Sequence, residues 1–257
     1  MNRIDTCFQQ KKKNILSVYF TAGFPALNDT MRVIRALEKH GADMIEIGMP
    51  FSDPVADGPV IQASSKKALE NGMSLAVLFD QLKDLRNTTQ LPVILMGYMN
   101  PVYRMGWDKF LKSCHEVGVD GLILPDFPPE EYKKEYQEKF RPYNIYNILL
   151  ITPQTSKERI RYLDGLSEGF VYMVSSYSTT GVQNGFGKEQ TDYFNRINEM
   201  KLKNPRMIGF GISDSETFSI ACKYASGGII GTAFVRMLEQ DEGMDAKVGG
   251  FLREIRG

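Results

Sequence analysis

Net charge, cysteine and histidine are all scarce in this sequence. Lys and Arg together number 31, and so do Asp and Glu, so no net field draws the chain to nucleic acid or to an anionic membrane. A small-molecule partner is the expectation, and an acidic one would have to be recognised locally. Cys7, Cys114 and Cys222 are scattered, with no Cys-x-x-Cys and only His40 and His115 to join them. That pattern argues against a disulfide framework and a structural zinc site, and the cysteines read as reduced thiols. No apolar run reaches the roughly 18 residues of a membrane span. The opening "MNRIDTCFQQKKKN" lacks the apolar core of a signal peptide, so a cytoplasmic chain is expected.

What is present is a repeated alternation. Short segments rich in Val, Ile, Tyr and Phe are each followed by a polar turn and a stretch of helical periodicity, the signature of βα units on a parallel sheet. Eight such segments occur: residues 15–20, 44–48, 92–98, 121–126, 145–151, 170–176, 207–211 and 228–232. Their near-continuous apolar character suits strands covered on both faces. At 257 residues the chain fits one (β/α)8 TIM barrel, of α/β class, with residues 1–257 as a single domain. Thr155-x-x-Glu158 and Ser213-x-x-Glu216 fit capping boxes at helix starts. Residues 61–72 and 74–87 read as two helices parted at Gly72, an extra helix between strands two and three, and residues 2–12 as an extra N-terminal helix across the barrel bottom.

In such a barrel the site lies where the strands end. Glu46 sits in the second segment, and Asp53 and Asp57 follow in a loop stiffened by Pro50, Pro54 and Pro59. A salt-bridged barrel carboxylate is the plain alternative for Glu46. None of the eight segments contains Lys, Arg or His, however, and an acid without a cation is pushed toward its protonated form. For Asp53 or Asp57 alone a turn or cap would serve as well. "GFGIS" and "GT", after strands seven and eight, each read singly as a tight turn, but as a pair at consecutive strand ends they would let backbone amides and a helix N-terminus approach a phosphate; Gly181 lies in a polar, Gly-rich loop after strand six that either closes over a ligand or is plainly flexible. Tyr172, Tyr98 and Asn100 are either pocket or packing residues. No strand lysine offers a Schiff base, and the G-x-G lacks a dinucleotide fingerprint.

"EIGMPFSDPVADGPVIQ" closely resembles the signature of the tryptophan synthase alpha family. "FTAGFP", "LMGYMNPVY", "GLILPDFP", "FVYMVS", "GFGIS" and "GIIGTAFV" resemble that family's segments in order along nearly the whole chain. The resemblance implies a (β/α)8 barrel and a lyase that cleaves indole-3-glycerol phosphate to indole and glyceraldehyde 3-phosphate without a cofactor or metal. It implies Glu46 as catalytic acid/base and Asp57 as catalytic aspartate, with Tyr172 beside them. Tyr19, Tyr98 and Phe210 fall on substrate-pocket positions, and Thr180, Gly181, Gly211, Gly231 and Thr232 on substrate and phosphate positions. It further implies a pyridoxal-phosphate beta subunit as partner in an alpha2-beta2 tetramer, with Asp53 and Asp126 facing it.

Loop six departs from the family. Ser178, Thr179, Thr180 and Gly181 stand where many members have Gly-Val-Thr-Gly, and Ser176 replaces a common arginine. A stand-alone alpha-like lyase releasing free indole therefore stays open, as does a non-catalytic barrel subunit, against which the intact Glu46 and Asp57 speak.

Overall fold

The computed structural model describes residues 1–175, 186–240 and 243–257. All of its strands are parallel and belong to one sheet, ordered β5-β4-β3-β2-β1-β9-β8-β7-β6. In chain order they are β1 (Ile15–Thr21), β2 (Met44–Gly48), β3 (Val93–Met96), β4 (Gly121–Ile123), β5 (Tyr146–Asn147), β6 (Leu149–Ile151), β7 (Val171–Val174), β8 (Arg206–Gly209) and β9 (Gly227–Ile230). β5 pairs with β4 and β6 pairs with β7. Only Ile148 separates β5 from β6, and its amide donates to the Leu122 carbonyl at 2.9 Å. The two are halves of one stave, so the eight expected strands close into a barrel.

The strands alternate between two buried environments. Leu16, Val18, Phe20, Ile45, Ile47, Val93, Leu95, Val171, Met173 and Ile208 join the large core between sheet and helices. Residues of the other parity, among them Ile15, Met44, Ile94, Ile123, Ile148, Phe170, Met207 and Ile229, form a second cluster in the barrel interior. Both faces are apolar, which is why the segments read as continuous runs. The N-terminal helix Arg3–Gln10 closes the bottom: Ile4 is fully buried in the interior cluster, and Phe8 packs on Phe170 with ring centroids 6.0 Å apart. Asn2 fastens it, accepting from the Ile4 amide and donating to the carbonyls of Asp120 and Asn144.

Between β2 and β3 run helices Pro59–Glu70 and Leu75–Gln81, parted at Gly72, whose φ of 94° suits glycine. The second continues through a 3-10 turn, Leu82–Asp84, into Leu85–Thr88. Two expected caps shift by one residue. Ser156, not Thr155, caps Lys157–Leu166, because the Thr155 hydroxyl already accepts from the Thr152 amide at 2.9 Å. Asp214, not Ser213, caps Ser215–Tyr224 in a box with Thr217, a carboxylate being the stronger acceptor at a helix N-terminus. One strand also carries a cation after all. β8 begins at Arg206, but at the opposite end from its rim residue Gly209.

Candidate active site

The parity that carries Met44 into the barrel carries Glu46 and Gly48 in above it. By the same rule Ser17 and Tyr19 follow Ile15, Tyr172 follows Phe170, Gly209 follows Met207 and Gly231 follows Ile229. The candidate residues therefore converge at the carboxyl ends of the strands.

Glu46 is fully buried. Its Oε1 accepts from the Ser17 hydroxyl at 2.7 Å, and its Oε2 has no hydrogen-bond partner among the described residues. Desolvation pushes its pKa up to about 7, outweighing the Ser17 bond, which pulls the other way. The salt-bridge alternative thus fails, since no cation enters the balance. Tyr19, beside Glu46 in the register of β1 and β2, and Tyr172, on β7, are both held neutral by burial and by these acids.

Asp57 is half-buried, and burial raises its pKa to about 6 against the hydrogen bond from Tyr98. The Tyr98 ring stacks on Phe51 at 5.3 Å. Tyr19, Phe51, Asp57, Met96 and Tyr98 line a pocket with about 10 Å3 of free space, roughly one water. Two tyrosines rely on glycines for their positions. A Cβ on Gly48 would collide with the Tyr19 hydroxyl, and one on Gly209 with that of Tyr172.

The other rim is backbone. Phe210 and Gly211 have successive positive φ values, 67° and 74°. Ser175 Oγ donates to the Phe210 carbonyl at 2.6 Å and holds that turn, while the Phe210 ring meets Tyr172 edge-on at 6.3 Å. Gly231 caps helix Thr232–Leu238 without a side-chain bond, so the first-turn amides are left for another acceptor. The helix after β8 is instead closed by Asp214. Thr180 and Gly181, with Ser176, Ser178 and Thr179, lie outside the described residues.

Asp53 and Asp126 stand exposed on neighbouring loops. Asp126 also accepts from the Met99 amide at 3.0 Å, ordering the start of helix Met99–Met105. Asn100 is exposed within that helix rather than in the pocket. Ser17 and Ser175 escaped the sequence reading. Ser17 is a lone serine in an apolar run and Ser175 the first of two at a run's end, and only the strand parity could have pointed to Ser17. Among the described residues no helix is long and apolar enough to cross a membrane, and no cluster of His, Cys, Asp or Glu is placed to hold a metal.

A closed parallel barrel with an uncompensated carboxyl on one strand, a second raised acid on the loop that follows it and backbone amides at the ends of the last two strands defines a barrel enzyme of general acid/base chemistry. The family model for the tryptophan synthase alpha chain matches residues 6–252. The tryptophan synthase alpha chain of Flavobacterium johnsoniae is 55% identical over 256 residues, covering 100% of both chains. That of Phocaeicola vulgatus is 51% identical, covering 99% of this chain and 98% of the relative. Among solved structures, the alpha subunit from Legionella pneumophila superposes with a TM-score of 0.89 at 34% identity, over 100% of this chain and 97% of its own. A chain of the tryptophan synthase complex from Pyrococcus furiosus gives 0.84 at 34% identity, over 93% and 96%. The chain belongs to the tryptophan synthase alpha chain family, lyases that cleave indole-3-glycerol phosphate in tryptophan biosynthesis.

Proposed function

We propose that the whole chain acts as one cytoplasmic domain that breaks the carbon–carbon bond of indole-3-glycerol phosphate, with Glu46 as acid and base and Asp57 as electrostatic partner. The observation that carries this reading is Glu46 itself: fully buried, with no cation, and one carboxyl oxygen unpartnered among the described residues. The protonated carboxyl donates to indole C3, and the ring becomes an indoleninium whose N–H positive charge the Asp57 carboxylate stabilises. The Glu46 carboxylate then takes the proton of the adjacent glycerol hydroxyl. That carbon–oxygen bond becomes the aldehyde, the carbon–carbon bond breaks, and its electron pair returns to the ring to give indole. Glu46 ends protonated, ready for another turn.

Tyr19, Tyr98 and Phe51 would receive the indole ring, the narrow space between them widening as loop 49–59 shifts, with Tyr172 and Phe210 across from them. Backbone amides at Gly211, Gly231 and Thr232, with Thr180 and Gly181, would take the phosphate. The partner in this reading is a beta subunit, in an alpha2-beta2 assembly, docking over Asp53 and Asp126. The experiment is indole release by the purified chain, with and without a beta subunit, for the parent and for Glu46→Gln. Turnover should fall about 100-fold or more in a variant that keeps its fold. Near-parent turnover would remove Glu46 from the mechanism.

A further inference from the structure

The carboxyl of Glu46 has two oxygens in unequal surroundings. Oε1 meets the Ser17 hydroxyl at 2.7 Å, and Oε2 meets no donor or acceptor among the described residues. Ser17 is fully buried, and its register partner on β2 is Met44, two residues before Glu46. A carboxyl proton could in principle sit on either oxygen. Were it on Oε1, the hydroxyl hydrogen of Ser17 would lose its one acceptor among the described residues at a fully buried position, a costly arrangement. With the proton on Oε2, Ser17 keeps its bond in both protonation states of Glu46.

We propose that Ser17 is a positioning residue of the lyase, whose hydroxyl pins Oε1 and thereby reserves Oε2 as the atom that carries the proton to the substrate and accepts it back. This rests on the reading of Glu46 as acid and base. Among the described residues the titratable groups that feel the charge of Glu46 are Tyr19 from β1 and Tyr172 from β7, and Asp57 from the loop after β2 acts on the same two phenols. Burial keeps both phenols neutral, and an ionised Asp57 would be of like charge to a Glu46 carboxylate. Among these neighbours Ser17 alone donates to Glu46.

The test compares Ser17→Ala, Ser17→Cys and Ser17→Thr with the parent in steady-state indole release across pH, with circular dichroism melts as the check on folding. Losing the donor destabilises the carboxylate, so the protonated form should persist to higher pH. In Ser17→Ala the basic limb of kcat/KM should move up by about one pH unit, and kcat should fall about tenfold with KM changed less than about twofold. Ser17→Cys, close in size but a weak donor, should behave the same way even if the alanine variant folds poorly. Ser17→Thr, which keeps the hydroxyl, should restore the parent profile. A loss of kcat with an unmoved basic limb is what packing alone would produce, and it would overturn the proposal, as would parent-like kinetics in Ser17→Ala. Glu46→Gln, run alongside, separates the two levels: high turnover there would remove the acid/base role itself, and this proposal with it.

Discussion

The phenolic hydroxyl of Tyr98 donates to Oδ2 of Asp57 at 3.1 Å while accepting from the Ala56 amide at 3.0 Å. One side chain from the end of β3 thus holds both the backbone and the carboxylate of the loop after β2. Tyr98→Phe keeps the stacking on Phe51 but drops both bonds. Its lost donor had favoured the ionised carboxylate, so the Asp57 pKa should rise further and the acidic limb of kcat/KM should move up by about one pH unit. A pH profile of the folded variant checks this; an unmoved acidic limb would show that the limb does not belong to Asp57.

The two acids predict a narrow optimum. Cleavage starts from protonated Glu46 and ionised Asp57, whose pKa values are raised to about 7 and about 6. Rate should be lost below pH ~6 as Asp57 takes up a proton, and above pH ~7 as Glu46 gives one up. A plot of log kcat/KM against pH should therefore be bell-shaped with its summit between those values. A flat profile across that interval would exclude this assignment of acid and base.

Stability carries the same signature. The folded-state pKa of Glu46 lies above its ordinary value, so between about pH 4.5 and pH 7 the folded chain binds more protons at this site than the unfolded chain. The corresponding stability is complete below pH ~4.5 and is lost as pH rises through ~7. At pH 8 the loss is on the order of 3 kcal/mol for a shift of this size. Glu46→Gln, which never ionises, should gain several degrees in Tm over the parent at pH 8 and little at pH 5. Thermal melts at the two pH values decide it, and equal differences at both would refute the buried-charge account.

The two rim glycines should behave differently. Gly211 has φ 74°, a left-handed conformation that would cost Ala about 1–2 kcal/mol and distort the turn beside Ser175. Gly231 is not left-handed, and an added Cβ would meet the Tyr19 ring at 3.4 Å, an ordinary contact. Gly211→Ala should weaken inorganic phosphate and raise KM for the substrate severalfold, whereas Gly231→Ala should stay within about twofold of the parent. Titration calorimetry with phosphate measures both. Parent-like phosphate binding in Gly211→Ala would place the anion elsewhere.

The barrel was legible because each strand needs apolar residues on both faces and each helix a polar start, and both requirements are local. The same double burial hid the direction of each side chain. In "ILSVYF" nothing in the run says whether Ser17 and Tyr19 or Leu16 and Val18 face the interior. The displaced caps show a similar limit: Thr155 had the right chemistry but its hydroxyl is taken by the Thr152 amide, and beside Ser213 the Asp214 carboxylate is the stronger acceptor.

By itself the sequence determined the number of βα units, the acid at the end of the second strand, the glycines at the last two strand ends and the lack of any Lys, Arg or His within the eight segments. These follow from composition at single positions and from short-range order. The barrel's closure through Ile148, the convergence of Glu46, Ser17, Tyr19 and Tyr172, and the unequal surroundings of the two Glu46 oxygens were decided only by tertiary structure. Each depends on the register between strands distant in sequence, and a shift of one residue would turn every one of those side chains to the other face.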